Sequence, residues 1–185
     1  VIVGAWNYQD TVDLQIEGRA FVYLGSSTGP ATAPAWTAEG NEDLSSFGWA
    51  VATAGDVNGD GYSDVIVGAP DFDNDQAAEG RAFVYLGSAA GPAATAAWTT
   101  ESNQISAALG FAVGTAGDLD GDGYSDVAVG APLYDNLPDA DGGRVFIYFG
   151  TALGLNPVPG DEHAEVDPGA RFGSAVSTAG DTNGD

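Results

Sequence analysis

Short apolar stretches separated by turns rich in glycine, proline and aspartate follow one another along the whole chain. The stretch at 81–86 is typical. Phe83 and Tyr85 fall on one face of the predicted strand, and Val84 and Leu86 fall on the other. Because both faces are apolar, the sheet is expected to be covered on both sides. Together with 28 glycines and 9 prolines in 185 residues, this pattern predicts an all-β fold of short strands.

The strand pattern repeats with a period of 62 or 63 residues. The segment FGWAVATAGDVNGDGYSDVIVGAP at 47–70 returns as GFAVGTAGDLDGDGYSDVAVGAP at 110–132, and its first part returns from 172. The segment EGRAFVYLGS occurs at 17–26 and 79–88, with GGRVFIYFGT at 142–151. Each unit contains four predicted strands, the last of them around Trp36 or Trp98. Repeats of this length predict the four-stranded antiparallel blades of a β-propeller, since solenoid repeats are generally shorter.

The repeat divides the chain into about three blade-equivalents. Residues 1–46 hold the last three strands of one blade, and 47–108 and 109–171 are full blades. Residues 172–185 are expected to form the first strand and a partial loop of the next blade. Since closed propellers typically have four to eight blades, we expect the remaining blades to come from the same longer chain or from other copies.

Acidic residues dominate the charge of the chain. There are 27 aspartates and glutamates, four arginines and no lysine, for a net charge of −23. A phosphate backbone would be repelled, so no nucleic acid partner is expected. No apolar run approaches the roughly 20 residues that span a bilayer, so no membrane insertion is expected. The acidic excess has three possible uses, namely solubility, a halophilic surface or cation coordination, and the positions of the residues separate them.

Oxygen-bearing residues occupy positions 1, 3, 5, 7 and 9 of the turn between strands one and two, where the tyrosine at position 7 offers its backbone carbonyl. They are Asp56, Asn58, Asp60, Tyr62 and Asp64 in one copy, and Asp118, Asp120, Asp122, Tyr124 and Asp126 in the next. Calcium takes six to eight oxygen ligands, and glycines at positions 4 and 6 permit the chain reversal. Several carboxylates this close would repel one another without a cation. The pattern therefore predicts a Ca²⁺ site in each turn.

Other metal sites agree less well with this spacing. An EF-hand requires glutamate at position 12, where this chain has Val67 and Val129. Magnesium prefers stricter octahedral geometry, and zinc prefers cysteine and histidine, of which the chain has none and one. A third copy supplies Asp181, Asn183 and Asp185. Its position 9 lies past the last residue, so this site is expected to be incomplete unless another segment supplies ligands.

The strings FG, AGDVNGDGYSD and VGAP resemble the FG-GAP repeat of integrin α-subunit propellers and of bacterial secreted proteins. The resemblance implies a propeller with calcium in the hairpins on its lower face and ligands on the opposite face. The loops on that opposite face include 71–79 and 133–141. Leu109 departs from the phenylalanine of the motif without affecting the ligands, and the irregular stretch at 155–166 is expected to form a poor fourth strand.

The function expected from these features is a calcium-binding extracellular scaffold, secreted or at the cell surface, for adhesion or ligand binding. A protein or glycan would bind through the loops at 71–79 and 133–141, and the chain is not expected to be an enzyme. No nucleophile elbow, phosphate-binding loop or zinc pattern is present in the sequence. Two alternatives stay open: an accessory or catalytic propeller of a larger secreted enzyme, and a lectin-like carbohydrate-binding propeller.

Three further positions recur in the repeat. An arginine begins each third strand and an aromatic residue follows each second strand, and we predict an ion pair for the first and a packing role for the second. The position after Phe-Gly varies, as Trp49, Phe111 and Ser174. Its variation is compatible with a ligand-facing site and equally with a difference in packing between blades.

Overall fold

Three antiparallel sheets stacked side by side form the framework of the described chain. The computed structural model describes residues 1–11, 14–27, 29–136 and 140–180. The first sheet contains β1 (Ile2–Ala5), β2 (Arg19–Val22) and β5 (Trp36–Glu39), and a small hairpin contains β3 (Gly25–Ser26) and β4 (Gly29–Pro30). The second sheet contains β6 (Ala50–Gly55), β7 (Asp64–Ala69), β8 (Arg81–Tyr85) and β9 (Trp98–Glu101). The third contains β10 (Ala112–Gly117), β11 (Asp126–Ala131), β12 (Arg144–Tyr148) and β13 (Asp161–Ala164).

Each sheet is an antiparallel meander whose strands lie in the order of the chain, and the hairpin of β3 and β4 is inserted between β2 and β5 of the first sheet. This arrangement confirms the prediction of an all-β fold built from four-stranded propeller blades. Within the described ranges there is no helix, and so none that could cross a membrane. Of the segment 172–185, for which a first strand is expected, the structure describes 172–180, and these residues contain no strand. A β-strand needs a hydrogen-bonded neighbour, and the described residues offer no second strand with which this segment could pair.

Both faces of the middle sheet are covered, as the alternation in β8 predicts. Phe83 and Tyr85 pack in a cluster with Ala20 and Trp36 of the first sheet. Val84, from the opposite face of the same strand, packs in a cluster with residues of the third sheet. The core therefore consists of apolar layers between blades, and the stability of each blade depends on its neighbours.

The glycines of the FG and VGAP strings interlock neighbouring blades. The N–H of Gly110 donates to the carbonyl of Gly130 in its own blade, with an N···O distance of 3.0 Å. The carbonyl of Gly110 lies against Gly68 of the preceding blade, where an added Cβ would come within 1.9 Å of that oxygen. Gly4 faces Gly48 in the same way, with a corresponding distance of 2.0 Å. Glycine is therefore required in VGAP because backbone packs directly on backbone.

A tryptophan in the outer strand connects each blade to the next one. The ring of Trp36 meets Tyr85 edge to face with 4.9 Å between centroids, and its Nε1 donates to the carbonyl of Ala93 at 2.8 Å. Trp98 repeats the arrangement on Tyr148 at 4.7 Å. The tryptophan buries a large apolar surface while satisfying its one donor, so these contacts hold adjacent blades together.

The fourth strand of the last sheet lacks this tryptophan. β13 begins at Asp161, which occupies the position of Trp98 in the repeat. It nevertheless pairs in register with β12, and all four of its residues are exposed. The irregular stretch therefore supplies a short, polar outer strand, in agreement with the sequence-based expectation.

The recurring arginine and the recurring aromatic residue form one structural unit. The guanidinium of Arg81 pairs with Glu101 at 2.7 Å and lies 4.1 Å above the ring of Phe72. Arg19 and Arg144 repeat both contacts in their own blades. The prediction of an ion pair and a packing role is therefore confirmed.

Candidate metal centre

The hairpin between β10 and β11 folds around the carboxylate of Asp118. Its Oδ1 accepts the N–H of Gly121 at 2.8 Å and of Asp122 at 3.1 Å. Its Oδ2 accepts the N–H of Gly123 at 2.9 Å. Gly121 and Gly123 have φ of +75° and +94°, a conformation that glycine adopts without steric cost. The turn sequence thus fixes its first acidic residue at the centre of the loop.

Asp126, the first residue of β11, lies at the end of the hairpin and is fully buried. Its Oδ2 accepts the N–H of Leu119 at 2.7 Å, and its Oδ1 accepts the N–H of Gly150 at 2.9 Å. Burial raises the pKa of the Asp126 carboxyl. These two hydrogen bonds oppose that shift, and the negative charges of Asp120 and Asp118 add to it. A buried carboxylate beside two others is stabilised most directly by a cation.

Three carboxylates meet in this hairpin. Oxygen atoms of Asp118, Asp120 and Asp126 all lie within 4.8 Å of one another. A calcium ion about 2.3 to 2.6 Å from each ligand holds two ligand oxygens at most about 5 Å apart, so the spacing fits. Asp122 lies outside this group and its Oδ1 accepts the N–H of Tyr124 at 3.0 Å.

The hairpin between β6 and β7 repeats the same backbone pattern. Asp56 accepts the N–H groups of Gly59, Asp60 and Gly61 at 2.7 to 3.0 Å. Asp64 is 1% exposed and accepts two further N–H groups, from the hairpin and from the loop after β8.

The hairpin between β6 and β7 has an amide side chain where the hairpin between β10 and β11 has a carboxylate. Asn58 stands at the position of Asp120, and its Nδ2 donates to Asp60 at 3.1 Å. Its amide oxygen is still a suitable hard ligand, so the donor set fits calcium with one negative charge fewer. The third predicted set, Asp181, Asn183 and Asp185, lies outside the described residues.

Comparison with known proteins identifies the repeat. The sequence model of the FG-GAP repeat family matches residues 47–85 and 109–148, which contain both hairpins. The chain contains two FG-GAP repeats. It is 39% identical over 145 residues to integrin alpha-6 of Homo sapiens, covering 75% of this chain and 12% of that protein. It is 38% identical over 152 residues to integrin alpha-PS2 of Drosophila melanogaster, covering 74% and 10%. The FG-GAP chain therefore spans only about a tenth of the length of these relatives.

Two glycines of the FG-GAP chain support the hairpins although the ligand pattern does not include them. The N–H groups of Gly87 and Gly150 orient Asp64 and Asp126 from the loop between strands three and four. A Cβ on Gly150 would lie 2.5 Å from the carbonyl of Ser125. The sequence does indicate a role for this glycine, because it recurs directly after the third strand of each blade, as Gly25, Gly87 and Gly150.

The two FG-GAP hairpins also contact each other. The N–H of Asp56 donates to Oγ of Ser125 at 3.1 Å, and the N–H of Ser125 donates to the carbonyl of Asp56 at 2.9 Å. The ring of Tyr124 lies over Gly59, where an added Cβ would come within 2.7 Å of the ring. The first residue of one hairpin is thereby fixed to the last turn of the other.

Replacing Gly59 with alanine is expected to destabilise the protein more than replacing Gly121. Both positions have φ near +75°, so both variants carry the left-handed penalty of about 1 to 2 kcal/mol. Only Gly59 faces a neighbouring ring, whereas Gly121 faces open space, and overpacking adds about 1 to 3 kcal/mol. Urea denaturation of the two variants measures the difference. Equal losses would contradict the packing of Tyr124 on Gly59, and adding Tyr124→Ala should remove the excess.

Proposed function

We propose that this chain is a calcium-stabilised, extracellular propeller scaffold that binds an adhesion ligand on the face opposite its metal sites. The observation that carries the metal part is the group of three carboxylates around buried Asp126. The relatives of this chain are integrin α-subunits, which are adhesion receptors of the cell surface. The chain covers a small share of those proteins, so adhesion and location are part of the proposal.

Calcium suits the hairpins because all their side-chain donors are oxygen atoms. Asp118, Asp120 and Asp126 supply carboxylates, and Tyr124 supplies a backbone carbonyl next to them in the turn. A flexible loop with mixed carboxylate and carbonyl donors favours calcium over magnesium, which requires closer octahedral geometry. The ion would neutralise charges that otherwise repel, and it would link the start of the hairpin to β11.

The opposite end of the blades presents an exposed aromatic row. The ring of Trp49 lies 5.5 Å from that of Trp6 and 5.3 Å from that of Phe111. These residues come from three neighbouring blades, and Trp6 and Trp49 remain 47% and 42% exposed. Rows of exposed aromatic rings support binding, because solvent-exposed apolar surface of this kind marks interaction sites. The position that varies in the repeat therefore lies on a surface suited to a ligand.

Backbone strain is concentrated at the same end. Ser46, Ala108 and Arg171 occupy equivalent positions just before the first strand of each blade, and their φ values are +57°, +56° and +55°. Non-glycine residues in this region carry a cost that often accompanies binding sites. The loop at 71–79 joins the same end, and so do the described parts of the loop at 133–141. These loops supply the side chains that differ between blades.

A lectin-like function is the second candidate, and the pair Trp6 and Trp49 favours it. Indole rings at the surface offer flat apolar faces on which sugar rings can stack. A protein ligand and a glycan would use the same aromatic row, so the chemistry of the bound partner separates the two functions.

The test is a binding screen of this chain, in calcium, against purified extracellular matrix proteins and against a glycan array. Trp49→Ala is expected to weaken binding to the true ligand by about tenfold or more, as loss of an aromatic hot spot does. Leu153→Ala is the matched control, because Leu153 is 97% exposed at the hairpin end. Binding to glycans alone would select the lectin-like function. Binding that survives Trp49→Ala and is lost in Leu153→Ala would contradict the assignment of the face.

A further inference from the structure

A fully buried glutamate without a hydrogen-bond donor lies at the end opposite the hairpins. Glu79 precedes β8 and its exposure is 0%. Neither of its carboxylate oxygens has a hydrogen-bond partner among the described groups. Burial raises the pKa of this carboxyl, and the backbone N–H groups of Gln76 and Asp75 lie close enough to oppose that shift without reaching ordinary hydrogen-bond geometry. A buried acidic group in this condition requires a compensating partner.

Another buried acceptor without a donor lies in the same loop, three residues before Glu79. The Oε1 of Gln76 is also buried and without a partner. Burial raises the pKa of Glu79, and the adjacent carboxyl of Glu101 raises it further. Glu42, from the loop before β6, is close enough that its pKa responds to the charge of Glu79. Acidic oxygens from two blades therefore converge at one place.

The only described cation that reaches this group is already engaged. Arg81 donates to Glu101 at 2.7 Å and stacks on the ring of Phe72. Burial raises the pKa of Glu42, the negative charges of Asp73 and Glu79 raise it further, and the charge of Arg81 lowers it. Among these residues the acidic groups therefore outnumber the one guanidinium. The blades do not all need this arrangement, because Gly142 occupies the position of Glu79 in the third blade.

We propose that Glu79, Gln76 and Glu101 form a second kind of cation site, which takes a calcium-sized divalent ion between the loop at 71–79 and the preceding blade. A shared proton between the two glutamates would satisfy one oxygen of Glu79 and leave its other oxygen and the Gln76 oxygen without a partner. A hard cation takes six to eight oxygens and satisfies all of them together. The side chain of Glu101 is 26% exposed, which provides a path of entry from solvent.

This site lies apart from the hairpins and would act on the loop surface. The carbonyls of Ala77, Ala78 and Glu79 accept the N–H groups of Ser106, Ala108 and Leu109 in the loop that leads to the third blade. An ion bound to Glu79 would therefore fix the position of two neighbouring loops at the end that we propose binds ligand. The site itself does not depend on that ligand or on the hairpin metals.

The test counts bound calcium by equilibrium dialysis for the wild type, Glu79→Gln and Glu17→Gln. Glu17 occupies the same position in the preceding blade and already has an interaction partner, so its variant is the matched control. We expect Glu79→Gln to bind one ion fewer per chain than the wild type, with the hairpin ions retained, and Glu17→Gln to bind the same number. An unchanged count in Glu79→Gln would overturn the site even if the hairpins bind calcium.

Melting temperatures provide a second readout that a purely structural role would not reproduce. Without metal, Glu79→Gln should melt above the wild type because it removes a buried charge. In saturating calcium this advantage should shrink or reverse, since only the wild type gains the ion. Gln76→Ala removes one ligand without a charge change and should lower the affinity for one ion. If the difference in melting temperature between Glu79→Gln and the wild type is the same with and without calcium, Glu79 is a protonated structural residue and the proposal is overturned.

Discussion

Removal of calcium is expected to lower the free energy of unfolding by about 3 kcal/mol for each occupied hairpin, relative to calcium at about 100 times its dissociation constant. Without the ion, the carboxylates of Asp118, Asp120 and Asp126 repel one another within a 4.8 Å group. The buried member of the group, Asp126, is 0% exposed and forms no ion pair with a cationic side chain of the described residues. Urea denaturation in calcium and in EDTA measures the loss.

Asp120→Ala separates this metal effect from the hydrogen bonds of the hairpin. Asp120 is exposed, and among the described residues its carboxylate accepts one long hydrogen bond, 3.3 Å, from the N–H of Asp122. Its removal should raise the stability without metal slightly, because it relieves the repulsion of Asp118 and Asp126, and it should abolish the calcium-dependent gain of one hairpin. Asp167→Ala, an exposed acidic residue outside the hairpins, is the control. Identical calcium responses in the two variants would rule out a site at Asp120.

Gly68→Ala is expected to destabilise the protein by at least about 3 kcal/mol or to prevent folding. The new Cβ would lie 1.9 Å from the carbonyl oxygen of Gly110. That oxygen belongs to backbone, which cannot rotate away as a side chain can, so the third blade would have to move from the second. The effect should appear both in circular dichroism spectra and in the denaturation midpoint.

Gly114→Ala is the matched control for this substitution. Gly114 lies in β10 and has no left-handed backbone, and an added Cβ there would lie 3.7 Å from the carbonyl oxygen of Val176. That distance is an ordinary van der Waals contact, so this variant should keep wild-type stability within about 1 kcal/mol. A Gly68→Ala protein as stable as Gly114→Ala would contradict the direct packing of backbone on backbone between blades.

Much of the fold could be predicted from the sequence because the blade is a local, repeated unit. Alternation in β8 predicts two covered faces, and Phe83 and Val84 pack on opposite neighbours. The turn pattern also places Asp118 and Asp126 at the two ends of a hairpin. Each of these features depends on residues within one repeat, so the chain order carries the information directly.

Contacts between repeats could not be predicted in the same way. Ser125 bonds to Asp56 across 69 positions, and the repeat pattern shows nothing special about either backbone. The burial of Glu79 depends on how two loops from different blades meet, which alternation along one strand does not determine.

The spacing of the hairpin also does not determine the direction of each side chain. Asp122 has the spacing of a ligand, but its carboxylate accepts the N–H of Tyr124 and lies outside the group of three carboxylates.

The most direct test of the metal centre is anomalous diffraction from crystals of this chain grown in calcium. We expect a peak about 2.3 to 2.6 Å from oxygens of Asp118, Asp120 and Asp126, with an equivalent peak in the hairpin of Asp56 and Asp64. Well-ordered carboxylates with only water among them, at calcium concentrations in the millimolar range, would contradict it.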